Sequence, residues 1–250
     1  MFNDQLLSEY ADTFLGYGNQ NGKFCFIGLE EGIGGSFEDC FKEVNSKITS
    51  WEKRGKKQLE DCRDFHLSLP FTKWHINPTK EQPTWRGIIR IILSYEEIPL
   101  KLNNTLSFQS ERLGRLNDNH CMIELRPLPG KNMSSWFYNK YSKIDYLKFR
   151  TTYTKYITPK RINLLREFIN KNNFKHIIFF SSDSKTIKLW EQIADEEFKD
   201  VGQNFLISDS GKYIRTEHPA NFQFSKKKLI GTKDFLDIFE KIGNRLRDLG

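Results

Sequence analysis

The chain has 250 residues, enough for one large domain or two small ones, and 14% of them are aromatic, which excludes a disordered polymer. Lys and Arg number 39 against 32 Asp and Glu, a net charge of +7, which suits a polyanionic partner such as nucleic acid and equally describes a basic surface without one. The cysteines, Cys25, Cys40, Cys62 and Cys121, have no CxxC spacing, which argues against a structural zinc site or a disulfide framework.

The N-terminal MFNDQLLSEYADTF lacks the basic-then-apolar pattern of a signal peptide, and no apolar run approaches membrane-spanning length. The expectation is a cytoplasmic, reducing location. Met1 to Leu15 is predicted as a short helix with Leu6, Leu7, Tyr10 and Phe14 on one face. Phe24 to Leu29 is the first predicted strand. It runs into a glycine-rich turn, Gly28-Leu29-Glu30-Glu31-Gly32-Ile33-Gly34-Gly35, that carries two carboxylates. Ser36 is placed as the N-cap of a helix over Phe37 to Ile48. Trp51 to Arg63 is charged and reads as a solvated helix or loop, and Pro70 to Pro83 as irregular and aromatic. Thr84 is placed as the N-cap of a helix over Trp85 to Tyr95, with Ile88, Ile91 and Ile92 inward.

Cys121 to Leu125 is a second strand, after which Arg126-Pro127-Leu128-Pro129-Gly130 is expected to leave the sheet. A helix from Arg161 to Asn170 follows Pro159. The apolar run His176 to Phe180 has the pattern of a buried parallel strand. Ser184 opens a helix to about Ala194. Phe205 to Ser208 and Tyr213 to Thr216 flank a hairpin turn, Asp209-Ser210-Gly211-Lys212. Lys227 to Leu246 closes the chain as an amphipathic helix. The expected fold is α/β, a three-layer α/β/α sandwich with a mainly parallel central sheet. A single domain over 1–250 is expected, with residues 51–83 as an insertion or lid.

Three segments place polar groups at strand ends: Gly28 to Gly32, Glu124 to Pro129, and Glu217-His218-Pro219-Ala220-Asn221-Phe222. In a parallel sheet all three meet at one edge, where α/β proteins bind ligands. The turn after the first strand has no Gly-Lys-Ser/Thr, and its two carboxylates would repel a phosphate, so it is not a nucleotide cradle. Taken residue by residue, simpler roles remain open. Glu30 and Glu31 would serve as solvated turn residues, His218 as a turn histidine bonded to backbone, and Glu124 as a partner for Arg126. Trp74 would serve as packing, and Lys226-Lys227-Lys228 as a solvated helix start.

The order of these motifs resembles the uracil-DNA glycosylase superfamily, from the first turn through the residue before Pro-Leu to the late His-Pro. In that resemblance Glu30 takes the place of the group that orients the hydrolytic water, with Glu31 as the alternative if the turn is shifted by one. His218 takes the place of the histidine that stabilises the departing base. Glu124 stands where the family has a base-reading Asn, and Ala220 stands where His-Pro-Ser would have Ser. An ionised Glu124 accepts hydrogen bonds and cannot donate them, so it favours an amino edge such as cytosine N4 over uracil.

The resemblance therefore implies a monomeric DNA glycosylase, without metal or cofactor, acting on a flipped, cytosine-type modified base, with a role in phage defence. Phe37, Phe71 and Trp74 are its candidate base-stacking residues. Asn221, Phe222, Lys226, Lys227 and Lys228 are its candidate DNA contacts. The competing expectations are a uracil-excising repair enzyme, a non-catalytic nucleic-acid-binding module on the same fold, and a metal-dependent hydrolase using Glu30, Glu31 and Glu217.

Overall fold

Residues 1–69, 74–130, 135–181, 184–202, 204–220 and 232–249 are described by the structure, a computed structural model. The strands are β1 (Gly16–Gly18), β2 (Phe24–Gly32), β3 (Leu59–Glu60), β4 (His120–Gly130), β5 (His176–Ser181), β6 (Phe198–Asp200), β7 (Leu206–Ser208) and β8 (Tyr213–Glu217). They form one sheet in the order β3-β1-β4-β2-β5-β8-β7-β6. Its middle, β4-β2-β5-β8, is parallel throughout, and β1 and β3 also pair in parallel. The β1–β4, β7–β8 and β6–β7 pairs are antiparallel.

Nine helices accompany the sheet among the described residues. They are α1 (Asp4–Thr13), α2 (Phe37–Lys53), α3 (Cys62–Leu67), α4 (Trp85–Tyr95), α5 (Leu102–Glu111), α6 (Tyr138–Tyr141), α7 (Arg150–Lys171), α8 (Ile187–Ala194) and α9 (Thr232–Asp248).

The central strands are apolar at successive positions because both of their faces are buried. Alternate residues of β2 enter different cores. Phe24 and Phe26 join a cluster with Val44 and Ile48 of α2, Ile88 and Ile92 of α4, and Phe239 of α9. Cys25 and Ile27 join a second cluster with Leu165 and Ile169 of α7 and Trp190 of α8. No helix among the described residues is long and apolar enough to cross a membrane.

Several predicted boundaries move, each for a local reason. β2 continues through Glu30 and Glu31, so the two carboxylates sit on a strand end and not in a turn. What extends it is β4, which stays in the sheet to Gly130 despite Pro127 and Pro129. Glu30 pairs with Arg126 and the next pair is Gly32 with Gly130, so the register shifts across the prolines. They lie in this irregular stretch, where a missing N–H costs no regular ladder bond. Pro159 is inside α7, where Tyr153 and Ile157, both 0% exposed, anchor the turns before it.

Ser36 does cap α2: its Oγ accepts from Asp39 N at 3.2 Å and the Asp39 carboxylate accepts from Ser36 N at 3.0 Å. The segment expected as an insertion contributes the last turn of α2, edge strand β3 and α3. Its Trp51, Cys62 and Phe65 are fully buried in the first core.

Candidate functional site

The carboxyl ends of β2, β4 and β8 open into a cavity of about 730 Å³. Glu31, Glu124 and His218 all line it, with Phe26, Phe180, Trp74 and Trp85 as its aromatic surfaces. The sheet order makes this meeting possible, because β2 lies between β4 and β5, and β8 lies beyond β5.

Glu124 extends from β4 across β2 at Gly28. A Cβ on Gly28 would collide with both carboxyl oxygens of Glu124, so only glycine leaves room for the group. Its Oε2 is buried and has no hydrogen-bond partner among the described residues. Burial raises the Glu124 carboxyl well above its ordinary 4.5, and the nearby Glu31 and Glu30 charges push it further in the same direction. The shift disfavours the ionised Glu124 expected from the sequence and favours the neutral acid, with one O–H donor and one carbonyl acceptor, although the Arg161 and Lys47 charges act in the opposite direction.

This has a consequence for stability. A carboxyl held above its unfolded value of 4.5 contributes stability that is complete below that value and is lost as pH rises through the folded one. Glu124→Gln keeps the shape and cannot ionise. Thermal melts should show the variant matching the parent near about pH 4 and exceeding it near about pH 8, by roughly 1–3 kcal/mol. A gap that does not change with pH would contradict a neutral Glu124.

The two adjacent carboxylates have separate partners. Glu31 pairs with Lys47 of α2 at 2.7 Å, and Lys47 is only 8% exposed. Burial alone would raise Glu31, but the charge and hydrogen bond of Lys47 outweigh it and hold the carboxyl below 4.5. Glu31 is therefore a fixed anion at the cavity wall. Glu30 also borders the cavity, yet its carboxylate is held by Arg150 of α7. Arg150 Nη2 donates to Oε1 at 2.6 Å and to Oε2 at 2.8 Å, and Arg126 Nη1 lies 4.0 Å away. Burial raises Glu30, and the two arginines offset this only in part. Both carboxylates border the cavity and both are ion-paired; what separates them is exposure, 27% for the Glu31 side chain against 7% for that of Glu30.

His218 sits in the turn after β8. Ala220 N–H donates to its Nδ1 at 3.1 Å, which leaves Nε2 to carry the proton of the neutral ring. Burial lowers His218 to about 4, so near neutral pH it is an uncharged donor. The turn is seated by Pro219 over Gly87 of α4, where a Cβ would meet the proline ring, and by Arg86 Nη2, which donates to Pro219 O at 3.1 Å.

Of the other residues expected at the site, Trp74 lines the cavity. Phe37 does not; it packs against Phe137 with ring centroids 6.3 Å apart and lies under Lys140. Phe71, Asn221, Phe222, Lys226, Lys227 and Lys228 lie outside the described residues. Trp85, read from the sequence with Trp74 as packing or a base stacker, also lines the cavity. Lys47 and Phe180 carry no such signal, because Lys47 lies within a charged amphipathic helix and Phe180 within an apolar run. A cluster of Cys62, His66 and His75 stands beside the cavity, with His66 and Trp85 on its wall. The only sequence signal for it is the four-residue step from Cys62 to His66, one helical turn.

Comparison of the chain with protein-family models, with curated proteins and with solved structures finds no match.

Proposed function

We propose that this protein is a DNA glycosylase on a three-layer α/β/α sandwich, hydrolysing the N-glycosidic bond of a flipped cytosine-type base. The observation that carries the reading is the meeting of Glu31, Glu124 and His218 in one cavity of about 730 Å³. That volume lies within the roughly 300–1000 Å³ usual for small-molecule pockets. The three groups come from motifs far apart in the chain, in the order that resembles the uracil-DNA glycosylase superfamily. The net charge of +7 is compatible with a DNA partner.

Each group has a task in the reaction. The bond from C1′ to the base nitrogen N1 breaks, its electron pair goes to the base, and positive charge grows on the sugar. The Glu31 anion stabilises that charge, orients a water toward C1′ and takes the proton that the water loses as its oxygen bonds C1′. His218 Nε2–H donates to the carbonyl oxygen of the departing base. Glu124 meets the rest of the base edge. A neutral carboxylic acid matches the amidine edge of cytosine with two hydrogen bonds, giving O–H to N3 and accepting from the N4 amine. Passing that proton to N3 lets the base depart neutral. Uracil has no basic N3 to receive it. The preference for a cytosine-type base thus survives the correction to Glu124, on different chemistry: the group gives a proton as well as accepting a bond.

The test uses matched duplexes holding uracil, cytosine, hydroxymethylcytosine or glucosylated hydroxymethylcytosine at one position, scored for abasic sites. Release of a cytosine-type base in preference to uracil is expected. Release of uracil alone would return the chain to the repair reading. Tight DNA binding without release of any base would leave a binding module. A positive result with the modified bases would also support a role in defence against phages that carry them.

A further inference from the structure

Cys62 Sγ, His66 Nδ1 and His75 Nε2 face one another beside the cavity. The separations are 3.4 Å from Cys62 to His66, 3.9 Å from Cys62 to His75 and 3.2 Å from His75 to His66. Tetrahedral zinc, with Zn–N near ~2.0–2.1 Å and Zn–S near ~2.3 Å, holds its ligands about 3.3 Å apart for two nitrogens and about 3.5 Å for nitrogen and sulfur. The three atoms stand close to those spacings.

The three contacts are also within hydrogen-bond reach, with donor and acceptor set by the ring tautomers, whereas a cation would be held by all three atoms at once.

We infer that Cys62, His66 and His75 bind a zinc ion, which ties α3 and the Trp74–His75 segment to the wall of the cavity. Among the described residues this is the cluster of this kind that the structure brings together. The donor set of one thiolate and two imidazoles is of the softness that zinc prefers.

Cys62 is a thiol without the ion, raised by burial and by the charges of Glu31 and Asp61. On binding, the S–H bond gives way to a Zn–S bond and the proton leaves to solvent. The same two carboxylates then oppose the residual positive charge of the ion.

The backbone around the site is already restrained. Asp61 caps α3 by accepting from Asp64 N at 3.0 Å, and its other oxygen accepts from Arg115 Nε at 2.8 Å. Cys62 N–H donates to Gly114 O at 2.9 Å. The Trp85 ring lies 5.0 Å from the His75 ring and 5.9 Å from that of His66, which gives the site an apolar cover. With three protein ligands, the fourth position is left to water or to a small molecule.

The missing CxxC pairs argue against zinc held by paired cysteines and do not bear on one cysteine joined to two histidines.

The experiment is metal analysis of the full chain purified without added metal, followed by replacement with cobalt(II). One zinc per chain is expected, and the cobalt form should show intense visible bands of a tetrahedral site with a thiolate-to-metal charge-transfer band. Cys62→Ser should abolish the charge-transfer band, and His75→Gln should weaken retention of the ion against a chelator at least tenfold. Chelation should lower the melting temperature of the parent and leave that of Cys62→Ser unmoved. If a variant does not fold, the parent's zinc content and cobalt spectrum decide. A parent that holds no zinc after reconstitution, or a cobalt spectrum without the thiolate band, overturns the inference. Each of these readouts is independent of glycosylase activity, so the two readings fail separately.

Discussion

Replacing Glu31 by Gln is expected to slow single-turnover base release by about 100- to 1000-fold, roughly 2.7–4 kcal/mol of barrier, the usual cost of one lost electrostatic contact in a closed site. The amide keeps the size of the side chain and removes the charge that the proposed reaction sets against the sugar cation. The substitution leaves Lys47 without its closest partner, so its effect on the fold has to be separated from its effect on the reaction. Lys47 retains Glu43 at 3.7 Å, one helical turn away on α2, which limits the damage. Circular dichroism and a thermal melt should therefore show a folded variant. A folded Glu31→Gln protein that releases base at the parent rate removes Glu31 from the mechanism.

Glu30→Gln is expected to act on stability first. Glu30 and Arg150 form an ion pair whose side chains are 7% and 12% exposed. Removing one member of a buried pair leaves the other charged and desolvated, at a cost of about 3–5 kcal/mol. The Arg150 guanidinium also lies over Trp136 at 5.6 Å, a contact worth less than a carboxylate. The pair need not be strongly favourable as a whole for this to hold. The net upward shift of Glu30 says that its burial is not fully compensated. Urea melts of Glu30→Gln, Arg150→Met and the double variant give the coupling directly. The double variant should recover much of the loss, because it removes both members of the closest pair. If Glu30→Gln instead melts like the parent and loses base release, the water-orienting role moves back from Glu31 to Glu30.

The contrast between these neighbours shows where reading the chain alone stops. From the sequence, Glu30 and Glu31 are two carboxylates after an apolar strand, and the resemblance places Glu30 at the chemistry. Their partners, Arg150 and Lys47, are 120 and 16 residues away. Nothing local distinguishes them. The same holds for Glu124. Its residue type and place before Pro-Leu are legible, but its charge state depends on the missing Cβ of Gly28 and on Glu31, both on a different strand.

The pattern of apolar runs and helical faces was enough, by itself, to determine an α/β chain with strands at Phe24, Cys121 and His176 and an inward face on α4. Those features follow from local periodicity and burial on both faces of a sheet. The tertiary structure decided the rest. β4 carries β2 past Leu29 because a pairing partner supplies hydrogen bonds that no local preference can. Pro127, Pro129 and Pro159 are tolerated because a register shift and a packed helix face absorb their missing donors. Cys62, His66 and His75 meet because a cluster of ligands is defined by distance in space, and in the chain only the step from Cys62 to His66 hints at it. Charge state, ion pairing and ligation depend on groups brought together by folding, so they become readable only once the strand order is known.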